Sequence, residues 1–231
     1  MIAALFVLGS ALAAPPEVIE LGRGYTHLYA LVGDGVVIID TGYPGDDVAV
    51  LKGLAEAGIA EDKVTAIVIT HAHSDHTGGA AALAARLQVP VLMGAGDVPE
   101  AAQGVNAEAS PTTARAAFMS RFFPETFDTF TATPVNAPMS LAEYGVDAQV
   151  SPVGGHTEGS LIVTAGTTLF VGDLIRGGVM RRKTPRLHYY QLDIAAAHAA
   201  VGAALAPEVT VVLPAHGGPL TPEAVRRFLA D

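Results

Sequence analysis

Residues 64–70, VTAIVIT, form an unbroken apolar and β-branched run with no polar alternation. A strand of this kind offers no face to water, so it belongs in a sheet covered on both sides and implies strands and helices mixed in layers. The run ends directly in HAHSDHTGG, which gathers three histidines and an aspartate within residues 71–76 of a chain that has eight histidines and only 16% charged residues. His71 and His73 are two positions apart and cannot share a helix face, so the cluster is read as a loop at the strand's exit. Gly78-Gly79 then lets the chain turn into the next helix.

The pattern repeats along the chain. Residues 25–39 read as two strands around Gly33-Asp34-Gly35, a hairpin composition, closed by Asp40-Thr41-Gly42. Helical spacing follows at 46–58, stopped by Gly58, and again at 78–87, with a short strand at 89–94. Residues 96–146 are irregular, with one helix expected around 112–123, and are read as a lid or substrate-side insert. Strand patterns return in DAQVSPV, SLIVTAG and TTLFVG, then come a helix over 192–205, VTVVLP, and a last helix from Pro222 to Ala230. No repeat or low-complexity linker divides 15–231, which is read as one domain.

The first 14 residues are uncharged and apolar and end in the small-residue pattern Ala11-Leu12-Ala13, which predicts a secretory signal and a periplasmic or secreted protein. A buried N-terminal strand or helix is the alternative, because no Lys or Arg stands near Met1. The run is too short for a stable membrane span. Thirteen Lys and Arg against 23 Asp and Glu give a net charge of -10, which disfavours nucleic acid as a partner and leaves a small-molecule substrate. Cysteine is absent, so any metal must be held by nitrogen and oxygen.

Four apolar strands run into polar or glycine-rich loops that carry potential ligands: His71, His73, Asp75 and His76 after VTAIVIT, His156 after DAQVSPVGG, Asp173 after TTLFVG, and His216 after VTVVLPA. If the strands exit at one sheet edge, these loops converge. Seven such donors exceed one tetrahedral site and suit two ions about 3.5–4 Å apart that share a carboxylate and a hydroxide.

His71-x-His73-x-Asp75-His76, Gly154-Gly155-His156-Thr157-x-Gly159-Ser160, Gly172-Asp173 and Pro214-Ala215-His216-Gly217 together resemble the metallo-β-lactamase superfamily of hydrolases. The resemblance implies an α/β (α+β), four-layer αββα sandwich with the site at one edge of its paired sheets. It implies His71, His73 and His156 on a first metal, Asp75, His76 and His216 on a second, and Asp173 between them. Asp40, in the family's Asp-x-Gly after the second strand, would orient a ligand. Zinc is the expected ion, with iron or manganese able to take the same donors.

Two such metals supply a hydroxide that attacks a carbonyl, with Asp75 carrying a proton to the leaving group. The motif set is similar to glyoxalase II and the lactonases, which points to hydrolysis of an ester, lactone or thioester. A metallo-β-lactamase, a mononuclear-iron persulfide dioxygenase and a non-catalytic metal-binding protein are the alternatives. Against glyoxalase II, the chain ends soon after His216 and leaves no room for that enzyme's helical C-terminal domain. His27, His188 and His198 match no ligand spacing and are read as packing or surface residues. Arg181 and Lys183, in the basic stretch that includes Arg182, are weak substrate-binding candidates, as are Tyr189 and Tyr190.

Overall fold

The computed structural model describes residues 14–122 and 124–231, so all but the last residue of the expected leader lie outside the described residues. Within it, the strand Val64–Ile69 occupies the middle of a six-stranded sheet between parallel neighbours Val36–Ile39 and Val91–Gly94. Its side chains alternate between two cores. Ile67 and Ile69 pack with Leu28, Ile38, Val91 and Met93 beneath the helices Asp47–Glu56 and Ala80–Leu87. Ala66 and Val68 pack with Leu31, Val37, Ile39 and Leu92 toward a second sheet. Burial on both faces explains why this strand carries no polar alternation.

The second sheet holds five strands, and its inner face supplies Val150, Leu161, Val163 and Phe170 to the same inter-sheet core. Its outer face, with Ile162, Leu169, Val171 and Val212, packs with Ala197, Val201 and Val225 of the helices Ile194–Ala204 and Pro222–Ala230. Three cores between four layers make the αββα sandwich, the α/β arrangement expected.

Strand direction places the loops. Gln149–Pro152 and Thr168–Gly172 are both antiparallel to Leu161–Ala165, and Val211–Pro214 is parallel to Thr168–Gly172. The exits toward His156, Asp173 and His216 therefore share one edge. A hydrogen bond from Leu161 N to Thr70 O (2.8 Å) joins that edge to the exit of Val64–Ile69.

Two parts of the chain do more than their sequence suggests. Glu17–Arg23 is a strand paired antiparallel with His27–Val32 at the first sheet's edge. Residues 96–146 are not a simple insert. Ala132–Val135 adds a parallel strand beside Val91–Gly94, and Met139–Ser140 pairs with Gln149–Pro152, so this segment carries the chain from one sheet to the other. The helix expected at 112–123 is the shorter Ala114–Met119, followed by a 3-10 turn over Ser120–Phe122. Gly78 has an ordinary helical φ of -58°, so glycine is not needed there for conformational freedom. A Cβ at Gly78 would lie 2.1 Å from Tyr43 C and Pro44 N, and close backbone approach is the constraint. Among the described residues no helix is long and apolar enough to cross a membrane.

Candidate metal centre

Three imidazoles meet at the shared edge. His71 Nε2 lies 3.0 Å from His73 Nδ1, and His156 Nε2 lies 3.1 Å from each of them. Their outer nitrogens fix which one carries the proton. The Ala107 carbonyl accepts from His73 Nε2 (3.0 Å) and the Tyr190 carbonyl from His156 Nδ1 (2.9 Å). Thr70 Oγ1 donates to Asp40 Oδ2 (2.9 Å) and is left to accept from His71 Nδ1 (3.2 Å). The three inner nitrogens are thus lone pairs pointing at one another with no proton between them. Burial, reinforced by the neighbouring imidazoles, holds His71 and His156 well below the ordinary 6.5, and burial lowers His73 as well. Protonation is not how this triangle is stabilised.

The second group is built around carboxylates. Asp75 Oδ2 lies 3.2 Å from His216 Nε2 and 3.6 Å from His76 Nε2, and accepts from Thr26 Oγ1 at 3.1 Å. His216 Nδ1 donates to the Tyr25 carbonyl (2.9 Å), and His76 Nδ1 to Asp40 Oδ2 (2.9 Å). Burial alone would lower His76, but Asp75, Asp40 and Asp173 raise it to about 10. Against the same burial, Asp173 and Asp75 raise His216 well above 6.5. Both carboxylates are held low despite burial: Asp75 chiefly by His76 and His216, Asp173 chiefly by His188 and His216.

Asp173 sits between the groups. Its Oδ2 is 3.2–3.8 Å from the Nε2 atoms of His71, His76, His156, His188 and His216, and its Oδ1 is buried without a hydrogen-bond partner, as is His76 Nε2. Orphaned buried polar atoms on this scale need a compensating charge. In a tetrahedral site, nitrogens 2.0–2.1 Å from an ion stand roughly 3.3 Å apart. The observed triangle is close to that spacing, so the residues present fit a cation. His71, His73 and His156 form one group able to hold an ion and Asp75, His76 and His216 another, while Asp173 belongs to further groups with His71 and His76 and with His156 and His188.

Positioning falls to buried carboxylates. Asp40, in a left-handed conformation (φ 58°) that aspartate tolerates better than most residues, accepts from Thr70 N, Thr70 Oγ1 and His76 Nδ1. Asp97 accepts from Ala72 N (2.8 Å), Thr157 Oγ1 (2.7 Å) and Gly159 N (2.7 Å), tying the His71 loop to the His156 loop. Sequence reading missed Asp97, because a lone aspartate before a helix resembles a cap. It read His188 as a packing or surface residue. That residue is 4% exposed, and the chain returning through Tyr190 carries it into the cluster. Its position after an apolar strand and a basic loop gave no ligand spacing to find.

A cavity of about 180 Å³ opens onto the cluster. Tyr25, Tyr43, Tyr189 and Tyr190 line it, and Asn106, Ala107 and Pro124 of the irregular segment do so as well. Of the substrate-binding candidates, Tyr189 and Tyr190 line the cavity. Arg181 and Lys183 are exposed and line no part of it. Of the other histidines, His27 is buried between Glu20 and Arg182, and His198 packs against Phe228.

A family model described as the metallo-beta-lactamase superfamily matches residues 21–216. The chain belongs to this superfamily of metal-dependent hydrolases. It is 30% identical over 151 residues to a hydroxyacylglutathione hydrolase of Anaeromyxobacter dehalogenans, covering 65% of this chain and 46% of that protein. A metallo-beta-lactamase domain-containing protein 1 of Mus musculus is 48% identical over 44 residues, 19% of this chain and 17% of that one. The chain thus matches less than half the length of these relatives. Among solved structures, a metallo-beta-lactamase of Cronobacter sakazakii superposes with a TM-score of 0.68 at 18% identity, covering 95% of this chain and 89% of that one. The subclass B3 enzyme BJP-1 of Bradyrhizobium japonicum superposes at 0.66 and 17%, covering 94% and 88%. These structures share its fold.

Proposed function

We propose that the protein is a dinuclear hydrolase of uncharged esters, lactones or thioesters. In this reading His71, His73 and His156 hold one divalent ion, Asp75, His76 and His216 the other, and Asp173 both, with zinc the expected metal. The triangle of unprotonated imidazole nitrogens, each fixed by an outer acceptor, carries the assignment. Two such ions supply Lewis acidity toward a carbonyl and make water acidic near neutral pH.

The protein's own residues do the rest. Tyrosine rings on the cavity wall bind the apolar part of the substrate and exclude water. Asp75, anchored by Thr26, lines the cavity; its carboxylate takes the proton given up as water adds to the carbonyl carbon and passes it to the departing oxygen or sulfur as the bond to carbon breaks. Among the described residues no Lys or Arg lines the cavity, whereas Glu125, which is outside the proposed metal set, does. That balance favours neutral substrates over a glutathione conjugate with its carboxylates, although a relative is named for that hydrolysis. The predicted leader assigns the activity to the periplasm or the exterior.

Elemental analysis followed by an ester, lactone, thioester and β-lactam panel, with and without chelator, tests this. Two ions per chain and chelator-sensitive turnover of a neutral ester or lactone are expected. Turnover that survives complete metal removal, or turnover of the β-lactam alone, would refute it.

A further inference from the structure

The cluster holds one imidazole more than the seven-donor pattern provides. His188 stands edge-on to His156 (ring centroids 4.9 Å apart) and stacks on His216 (5.5 Å, 18° between planes). Its Nδ1 lies 3.1 Å from the Tyr190 carbonyl, which can only accept, and that contact keeps the proton on Nδ1. The Tyr190 N–H approaches the same nitrogen at the longer 3.3 Å. Nε2 is then a lone pair. It is buried without a hydrogen-bond partner, 3.2 Å from Asp173 Oδ2, and the residue lines the cavity. Two Lewis bases facing each other in a buried site require a cation, the same logic that applies to the triangle.

We propose that His188 is a further metal ligand, binding through Nε2 beside Asp173 an ion that His156 also holds. The proposal rests on the dinuclear reading above. It gives that ion five protein donors: His71, His73, His156, Asp173 and His188. Structural zinc sites take four, so the extra imidazole shifts preference toward ions that accept five or six ligands. A bridging aspartate alone would leave the metal choice to availability; an added nitrogen makes it a property of the site.

The test loads the full chain with cobalt(II) and follows chelator competition and the visible d–d band in wild type, His188→Gln and His188→Ala. Wild type should bind two ions. In both variants one ion should bind about 10-fold or more weakly, with a more intense band because ligands are fewer. Added imidazole should restore affinity and band in His188→Ala but not in His188→Gln. Proton NMR of the wild-type cobalt protein gives a readout independent of any variant: six hyperfine-shifted exchangeable imidazole N–H signals if His188 ligates, five if it does not. Five signals, or unchanged affinity and spectrum in folded variants, would overturn the proposal while leaving the dinuclear hydrolase intact. Failure of wild type to take up cobalt would instead overturn the dinuclear reading and this proposal with it.

Discussion

Replacing Asp40 by asparagine separates its two jobs, which are holding the loop and setting the proton on His76. Asparagine has nearly the same shape and also tolerates the left-handed φ of 58°. Its amide oxygen can still accept from Thr70 N (2.8 Å in the native protein), so the loop keeps its anchor. The amide nitrogen then faces His76 Nδ1, where a carboxylate oxygen stands at 2.9 Å. Two donors cannot share that contact, so Nδ1 becomes the acceptor, the proton moves to Nε2, and Nε2 is lost as a ligand. Asp40→Ala would instead strip three buried donors of their partner, at roughly 1–3 kcal/mol each, and test only folding. For Asp40→Asn, one ion should bind about 10–100-fold more weakly, some 1.4–2.7 kcal/mol, and the other should change little. Competition against a chromophoric chelator resolves the two affinities. If both fall together, or neither falls, Asp40 does not act through His76 and the reasoning is wrong.

Other expectations follow from the same geometry. Asp97→Ala leaves three buried donors unpaired and should cost about 3 kcal/mol or more, lowering the melting temperature by roughly 6–12 °C, with near-native melting counting against its tying role. In excess chelator, stability should peak near pH 6.5. The lowered values of His71, His73 and His156 mean that the unfolded chain binds more protons below 6.5, so their stability is lost as pH falls from there. His76, raised to about 10, contributes stability that is complete below 6.5 and disappears as pH rises to about 10. Melts that rise monotonically to pH 9 would contradict this. Arg181→Ala and Lys183→Ala should leave kcat/KM within about twofold, because neither residue lines the cavity, and a larger loss would restore them as substrate contacts. Gly78→Ala should destabilise by about 3 kcal/mol, since the added carbon meets backbone that has no rotamer to yield.

What the sequence settled by itself was local. The unbroken Val64–Ile69 run demanded cover on both faces, and the structure supplies a core on each. The last helix, Pro222–Ala230, has the bounds its proline and apolar spacing predicted. The histidine cluster and the strand exits were readable because residue type and period are carried by neighbours in the chain, although Ser74–Thr77, with Asp75 and His76, forms a helical turn where a loop was expected. Tertiary structure decided what no period encodes. Glu17–Arg23 and Ala132–Val135 became strands because a sheet edge was there to receive them. The hydrogen bond from His216 to the Tyr25 carbonyl spans 191 positions, and the contact of His156 with His71 spans 85. His188 and Asp97 joined the centre because strand order and crossover direction brought their loops within hydrogen-bond range. Contact between distant segments is set by packing the layers together, and a single chain's spacing holds no record of it.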